Sequence, residues 1–404
     1  MTIKRMLGTA AAVLMAAGTA QAQMSDGGIK IGVLSDMSSL YTDLSGAGSV
    51  LAARMAVEDS GIAGRSIKVE IVSADHQNKA DVGSNTARQW YDVDKVDVIV
   101  DTPNSGVALA VNEISREKNK VFLVSGAASS DLTGSKCSPN TIHWTYDTWA
   151  LANGTGNAIV KTGGDSWYFL TADYAFGHAL ERDTEAVVLK NGGKVNGKVR
   201  HPLNNADFSS FLLQAQASKA KIIGLANAGG DTTNAIKQAA EFGIVKGGQN
   251  LAGLLVFLTD VHGLGLPTAQ GLIFTEAWYW DMNDANRAFA KKFSAANRGI
   301  HPTMIHAGVY SAVTHYLKSV EALKSDADGK AVVARMKATP TEDTLFGKGT
   351  IRADGRKIHD MYLFEVKAPA ESKAPWDYYK LRATIPAADA FRPVADGNCP
   401  LTKS

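Results

Sequence analysis

Short apolar runs alternate with amphipathic stretches along the first two thirds of the chain. The runs have the length of β-strands and lie at residues 29–34, 67–72, 97–100, 120–124, 167–170, 194–200, 221–226 and 254–257. Helical spacing of apolar residues connects them at 49–59, 81–91, 107–117, 179–189, 208–217 and 232–242. Strands separated by helices in this way form βαβ units around a parallel sheet. Because the pattern restarts at residue 167, it predicts two consecutive doubly wound α/β halves.

The last third of the chain departs from this alternation. Its pattern predicts long helices at 284–297 and 304–323 and a shorter one at 332–337. Residues 349–356 predict a hairpin that turns at Asp354-Gly355, and a strand follows at 361–366. The remaining residues, 368–404, contain five prolines, and we expect them to form an ordered C-terminal wrap.

The first 22 residues have the three parts of a secretory signal peptide. Lys4 and Arg5 form a basic start, residues 6–17 form an apolar run, and Ala20-Gln21-Ala22 forms a small-residue cleavage site. The apolar run is too short to span a bilayer. The alternative is a core helix at the N-terminus. We expect residues 1–22 to be removed and the mature protein to reside in the periplasm.

Charge and length narrow the function further. Without Lys4 and Arg5, the 42 basic residues become 40, which equals the number of acidic residues. Nucleic acid and acidic membrane surfaces both select a basic excess, so we expect neither as a partner. A mature chain of about 380 residues exceeds what one hydrophobic core usually serves, which favours two lobes.

The chain has two cysteines, Cys137 and Cys399. In an oxidising compartment, the simplest expectation is one disulfide that ties the C-terminal wrap to the first half of the chain. Two unpaired buried thiols are the alternative. Neither cysteine has a neighbouring Cys or His at zinc-ligand spacing, so we expect no metal site.

The sequence lacks the common catalytic and nucleotide-binding motifs. There is no Gly-x-Ser-x-Gly elbow, no His-Glu-x-x-His helix and no phosphate-binding Walker loop. Gly154-Thr155-Gly156 lacks the third glycine of a dinucleotide fingerprint. We therefore expect no cofactor and no enzymatic activity.

Polar residues follow two neighbouring strands of the first half, where open α/β sheets bind ligands. Asn104 and Ser105 come after the strand at 97–100, and Ala127 and Ser129 come after the strand that ends at residue 124. Free backbone amides at such helix starts form a carboxylate or anion site. Plain helix capping by Asn104, Ser105 and Ser129 is the alternative.

The order of these motifs resembles that of the leucine/isoleucine/valine-binding type of periplasmic solute-binding protein. The similarity runs from about residue 29 to 367. Its motifs are the opening strand and loop at 29–36 with Tyr41 and Gly46, the strand exit at 75–81, the loop at 125–133 and the aromatic-glycine turn at 173–177. The family implies a type I periplasmic binding protein fold, with two Rossmann-like lobes and a three-segment hinge. Lobe 1 would comprise 27–143 and 274–347, and lobe 2 would comprise 144–273 and 349–366.

The resemblance also implies roles for individual residues. Ser105, Ala127 and Ser129 would hold a carboxylate or similar acceptor, while Tyr41, Tyr174 and Phe176 would close over the ligand. Asn227 would supply a polar contact. Asp260 falls where amino-acid-binding members place an acid for the ligand ammonium, but the sequence around it, 258–262, differs from theirs. The aromatic runs at 143–149, which include Trp149, and at 278–280 would suit a flat ligand, with core packing as the alternative.

These expectations combine into a two-lobe clamp. A small solute (an amino acid or an aromatic or carboxylate compound) would be captured between the lobes of a monomer and delivered to an inner-membrane ABC permease. Two alternatives remain open. The same clamp could act as a periplasmic ligand sensor, or the chain could be an exported α/β hydrolase with Ser105 or Ser129 as its nucleophile.

Overall fold

A computed structural model describes residues 24–65 and 67–403 of the chain. The predicted signal peptide, residues 1–22, lies outside the described residues. The first lobe is built on a five-stranded parallel sheet with strand order β2-β1-β3-β4-β5. Its strands are β1 (Ile29–Ser35), β2 (Val69–Asp75), β3 (Val98–Asp101), β4 (Val121–Val124) and β5 (Thr141–His143).

Three helices connect these strands. They are α1 (Gly46–Ser60), α2 (Ala80–Asp92) and α3 (Ser105–Glu117). In α3 the residues Val107, Ala108, Val111 and Ile114 are buried. This spacing places one apolar face of the helix against the sheet.

The second lobe has a four-stranded parallel sheet with order β7-β6-β8-β9. Its strands are β6 (Ser166–Ala172), β7 (Lys194–His201), β8 (Ile222–Ala226) and β9 (Asn250–Gly253). Its helices are α4 (Thr148–Leu151), α5 (Asn157–Lys161), α6 (Ala175–Lys190), α7 (Ser209–Ala217), α8 (Gly230–Glu241), α9 (Leu258–Leu264) and α10 (Leu266–Ala269). A π-helical turn, Ala152–Gly156, joins α4 to α5.

The two parallel sheets flanked by helices confirm the predicted fold class. One predicted strand is wrong: residues 254–257 lie after β9 and run as a buried loop into α9. The error has a simple cause. Four consecutive buried apolar residues have the same pattern in a central strand and in a loop enclosed between two lobes.

The chain then returns to the first lobe. Helices α11 (Asp284–Ala296), α12 (Met304–Leu323) and α13 (Gly329–Ala338) follow strand β10 (Ile273–Glu276). Helix α12 packs against α1. Gly48 of α1 lies so close to the His306 ring of α12 that a Cβ atom at Gly48 would collide with it. The small residues of α1 therefore let the two helices approach closely.

Short antiparallel elements complete the chain. One small sheet contains β11 (Thr341–Asp343), β12 (Gly347–Ile351) and β13 (Lys357–Ile358), and it includes the predicted hairpin. Another contains β10, β14 (Met361–Val366) and β15 (Tyr379–Ile385), and helix α14 (Ala387–Ala390) follows. Turns of 3-10 helix lie at Ser25–Gly27, Ile62–Arg65, Ser130–Thr133, Pro369–Glu371, Val394–Gly397 and Pro400–Thr402. Among the described residues, we find no helix with the length and apolar character needed to cross a bilayer.

Buried Arg356 joins the segment after β5 to the start of β13. Its guanidinium donates to the carbonyl oxygen of Tyr146 at 2.9 Å and lies 3.5 Å from an Asp147 carboxylate oxygen. The Phe391 ring from the C-terminal wrap lies 4.5 Å from the guanidinium carbon. Close by, the His359 ring bonds to the carbonyl oxygen of Thr145 at 2.8 Å. These contacts fasten the segment after β5 to the segment around β13. The exact lobe boundaries stay predictions.

The predicted disulfide is confirmed. Cys137 and Cys399 are bonded, with their Cα atoms 5.6 Å apart and a sequence separation of 262. The bond fixes the end of the wrap to the segment between β4 and β5. A crosslink over so long a loop stabilises the fold mainly by restricting the unfolded chain.

Replacing both cysteines by serine should therefore lower the free energy of unfolding by about 2 to 5 kcal/mol. Urea denaturation of the wild type and the double variant measures this difference. As a control, a reductant should destabilise the wild type and leave the variant unchanged. Equal stability of the two proteins without reductant would contradict the prediction.

Candidate ligand-binding cleft

The carboxyl ends of the strands in both sheets face one narrow cavity between the lobes. From the first lobe it is lined by Tyr41, Leu44, Pro103, Gly126 and Ala128, and Tyr146 lines it from the segment that follows β5. From the second lobe it is lined by Tyr174, Phe176, Ala228, Leu255 and Phe257. This set is almost entirely apolar and includes five aromatic rings. We call it the inner cavity.

Asp36 shapes the loop that brings Tyr41 to the inner cavity. Its carboxylate accepts from the backbone N–H groups of Ser39 at 3.0 Å and Tyr41 at 2.7 Å. The Asn78 side chain, from the loop after β2, donates to the same carboxylate at 2.6 Å. The predicted strand exits after β1 and β2 are thus joined by one buried acid, which fixes the position of Tyr41.

The loops after β3 and β4 meet at Ser105. The Ser105 hydroxyl oxygen accepts from the backbone N–H groups of Ala128 at 3.3 Å and Ser129 at 3.1 Å. Asn104 caps α3, because its side-chain oxygen accepts from the N–H groups of Gly106 and Val107. The structure therefore brings together the two predicted loops, and it shows Asn104 in the capping role.

Two carbonyl groups of the loop after β4 already accept hydrogen bonds. The Tyr146 hydroxyl donates to the Gly126 carbonyl oxygen at 2.5 Å, and the His143 Nε2 atom lies 2.8 Å from the Ala127 carbonyl oxygen. Burial and the nearby Arg356 hold the pKa of His143 well below its usual value, so its ring is neutral. These two hydrogen bonds attach the loop after β4 to β5 and to the segment that follows β5.

The backbone at the end of β3 is strained. Asp101 and Thr102 have φ values of 79° and 57°, which are uncommon for residues other than glycine. Asp101 is buried and accepts from the Ser35 hydroxyl at 2.7 Å, and burial raises the pKa of its carboxyl to about 7. Such strain is concentrated at functional sites. It directs Pro103 into the wall of the inner cavity.

In the second lobe, the turn after β6 supplies two aromatic side chains. Gly177 is required there, because a Cβ atom would collide with the Ala172 carbonyl group. This tight turn presents Tyr174 and Phe176 to the cavity. The hydroxyl groups of Tyr41 and Tyr174 lie 2.6 Å apart and form a hydrogen bond between the two lobes. Burial raises the pKa of both tyrosines, so both hydroxyls keep their protons.

The lobes also touch at the start of α8. Gly229 has a φ of 57°, and a Cβ atom there would lie 2.8 Å from the Leu40 carbonyl oxygen and 3.1 Å from the Tyr41 ring. A side chain at this position would push the lobes apart. The structure is therefore a closed form of the cleft.

A wider polar groove, the outer cleft, lies beside the inner cavity. It has a volume of about 470 Å³ and is lined by Asp43, Thr233, Thr259 and Asp260, among others. The Asp260 carboxylate accepts from the backbone N–H of Phe257 at 2.9 Å, and burial raises its pKa to about 7. Asp260 thus lines the outer cleft and caps its own helix.

Seven predicted contacts lie outside the residues that line the inner cavity, namely Asn104, Ser105, Ala127, Ser129, Trp149, Asn227 and Asp260. Asn227 is buried within the second lobe, where its side chain bonds to His201 at 3.1 Å and accepts from Thr232 at 2.7 Å. Its neighbour Ala228 lines the cavity instead. Trp149 lies in α4 and is absent from the cavity lining.

Several lining residues were missed from the sequence. Tyr146 belongs to the aromatic run at 143–149, which the sequence marks as a candidate for ligand contact. Its position in the cavity wall depends on Arg356, which donates to the Tyr146 carbonyl oxygen. The apolar pattern around Leu255 and Phe257 predicts a strand, whereas the structure has a loop there. In the other aromatic run, Trp278 packs against Phe289 in the core.

The chain matches known proteins over most of its length. A family model described as periplasmic binding protein matches residues 28–373. A periplasmic binding protein of Burkholderia mallei is 51% identical, with a TM-score of 0.90, and the match covers 94% of this chain and 100% of that one.

Two further structures are more distant. A branched chain amino acid ABC transporter periplasmic ligand-binding protein of Burkholderia xenovorans LB400 is 39% identical, with a TM-score of 0.81, and the match covers 93% of this chain and 100% of that one. An ABC transporter solute binding protein of R. palustris, solved in complex with benzoate, is 22% identical, with a TM-score of 0.78. That match covers 89% of this chain and 97% of the other, and it shows a shared fold.

The family model covers well over half of the chain, and the two sheets that face one enclosed cavity have the architecture that the sequence predicted. The chain belongs to the periplasmic binding protein family.

Proposed function

We propose that this chain is the periplasmic solute-binding component of an ABC importer. It closes two lobes over one small organic solute and releases it unchanged to an inner-membrane permease. The observation that carries the proposal is the hydrogen bond between Tyr41 and Tyr174, which joins the lobes over an enclosed cavity at the strand ends. Closure of this kind removes solute from water and couples affinity to conformation.

The lining of the inner cavity indicates the kind of solute. Because it is almost entirely apolar and includes five aromatic rings, it favours a solute with a single ring or a branched aliphatic chain and one small polar group. The aromatic lining, and the benzoate complex of the R. palustris protein, are consistent with a flat organic acid.

We assign the ligand contacts to both lobes. Tyr41, Tyr174 and Phe176 would close on the body of the solute, and Ser105 with the loop at 127–129 would meet its polar group. The hydrolase alternative finds no support at Ser105, whose hydroxyl oxygen accepts from two backbone amides and is not paired with a base in the described structure. A protein that acts alone as a clamp has no need of a second copy, so we propose a monomer.

A thermal-shift screen over amino acids, aromatic acids, aliphatic acids and amides tests the function. A tight solute should raise the melting temperature by mass action. Small-angle scattering with that solute should then show a smaller radius of gyration, and chromatography should recover the solute unchanged. A tight solute without compaction, or one recovered as a different compound, would exclude the clamp.

Removing either hydroxyl of the interlobe pair should weaken binding. For Tyr174→Phe or Tyr41→Phe we expect Kd to rise about 3- to 10-fold, because one hydrogen bond of the closed state is lost. Isothermal titration calorimetry measures this change. Tyr310→Phe is the matched control, since its hydroxyl donates to Asp59 at 3.0 Å away from the cleft. Equal affinities for all of these variants would contradict the assignment.

A side chain at Gly229 should block closure. Gly229→Ala places a Cβ atom against Leu40 of the other lobe, so we expect ligand-dependent compaction to disappear in scattering and Kd to rise more than 10-fold. Gly243→Ala is the matched control. It also has a left-handed φ, 66°, but no atom lies within 4 Å of the added Cβ. If both variants lose binding equally, backbone strain and not the interlobe contact is responsible.

A further inference from the structure

One carboxylate oxygen beside the inner cavity has no protein partner. Asp101, at the end of β3, is fully buried, and its Oδ2 atom accepts from the Ser35 hydroxyl at 2.7 Å. Its Oδ1 atom is also buried, but it has no hydrogen-bond partner among the described residues. A buried acceptor that is left unpaired is costly, so its presence in a folded protein needs an explanation.

The unpaired oxygen lies against the wall of the inner cavity. Gly126 and Pro103 both line this cavity. A Cβ atom at Gly126 would lie only 2.7 Å from Asp101 Oδ1 and 2.7 Å from the Pro103 Cα atom. The bare backbone of Gly126 therefore lets the carboxyl group approach the wall. Burial and the nearby Asp101 raise the pKa of Tyr146, another lining residue, which shows that the acid acts on the cavity electrostatically.

The backbone that carries this carboxyl group is itself strained. Asp101 and Thr102 have φ values of 79° and 57°, in the left-handed region that side chains rarely adopt. Within the protein, the Oδ1 atom gains no hydrogen bond from this conformation. Two costs thus coincide at one place in the cavity wall. They are explained if a bound solute supplies the missing partner.

The neighbouring groups indicate which chemistry that partner has. The side-chain hydroxyl groups of Thr102 and Ser125 are also buried without a hydrogen-bond partner among the described residues. The Ser125 N–H donates to the Asp101 carbonyl oxygen at 3.4 Å, so these two strand exits are adjacent. An ionised carboxylate can only accept, whereas a serine or threonine hydroxyl can also donate. A solute hydroxyl matches this combination, because it donates one hydrogen bond and accepts another.

We infer that Asp101 is a specificity-determining contact of the inner cavity, and that it accepts a hydrogen bond from a hydroxyl group of the bound solute. The hydroxyl reaches Asp101 between Pro103 and Gly126, and its oxygen accepts from Ser125. A site of this kind strongly rejects an analogue that lacks the hydroxyl, because the buried acceptor is then left unpaired. This inference rests on the proposed function and names a polar group of its solute.

Matched pairs of compounds test the inference on the mature protein. In each pair a fluorine atom replaces the hydroxyl and removes the donor: 4-methylphenol and 4-fluorotoluene, 3-methylbutan-1-ol and 1-fluoro-3-methylbutane, 4-hydroxybenzoate and 4-fluorobenzoate. Calorimetry is done at pH 8, because burial raises the pKa of Asp101 to about 7 and its carboxyl group must be ionised. In at least one pair, we expect the hydroxyl compound to bind about 10-fold or more tightly than its partner.

Two variants assign this preference to Asp101. Asparagine and glycine both tolerate a left-handed φ. Asp101→Asn keeps the shape of the side chain but is neutral in either orientation of its amide, and Asp101→Gly removes the acceptor. In both variants we expect the preference for the hydroxyl compound to fall below about 3-fold, because the charged acceptor is lost.

Asp326→Asn is the matched control. The Asp326 carboxyl group is also buried with one oxygen unpaired in the described structure, but its other oxygen accepts from the Ser25 N–H at 2.7 Å, near the start of β1. This variant should keep the full preference. Binding of none of the hydroxyl compounds, no preference in any pair, an undiminished preference in a folded Asp101 variant, or an equal loss in Asp326→Asn overturns the inference. Compaction with a fluoro compound that binds as tightly as its hydroxyl partner would leave the proposed clamp intact and refute only the hydroxyl contact.

Discussion

The cleft depends on one geometric constraint: the carboxyl ends of two parallel sheets face each other across a narrow gap. Parallel strands place all their exit loops at one edge, so each lobe presents a cluster of loops and not a flat surface. The contact between Tyr41 and Tyr174 lies where these clusters meet, and the bare backbone of Gly229 allows Leu40 to approach. The protein then selects a solute by how closely that solute allows the two lobes to approach each other.

The C-terminal wrap supports both the segment after β5 and the loop after β4. Phe391 covers the guanidinium of Arg356, which holds the backbone of Tyr146, a residue of the cavity wall. Arg392 donates to the Ser130 carbonyl oxygen at 2.8 Å, next to the loop that carries Ser129. The disulfide fixes the end of the same segment. The wrap, for which the sequence predicts few helices or strands, thus supports two segments beside the inner cavity, and the disulfide holds the wrap in place.

The sequence was sufficient for the fold and for part of the cavity. Strand and helix periodicity predicted both sheets, and the resemblance pointed to Tyr41, Tyr174 and Phe176, all of which line the inner cavity. Leu255 and Phe257 could not be found, because buried loops and buried strands have the same apolar pattern. The hydrogen bonds of Asp260 also could not be predicted. A carboxylate at the start of a helix can bind a ligand or cap its own backbone, and only three-dimensional geometry distinguishes these outcomes.

The central claim is that a solute holds the two lobes in the closed arrangement. The most direct test is the distance between spin labels on opposite rims of the cleft, at Lys79→Cys and Ala206→Cys, measured by double electron–electron resonance. Without solute we expect a broad distribution that includes long distances, and with saturating solute one short, narrow distance. A tightly bound solute that leaves the distribution unchanged would contradict the account.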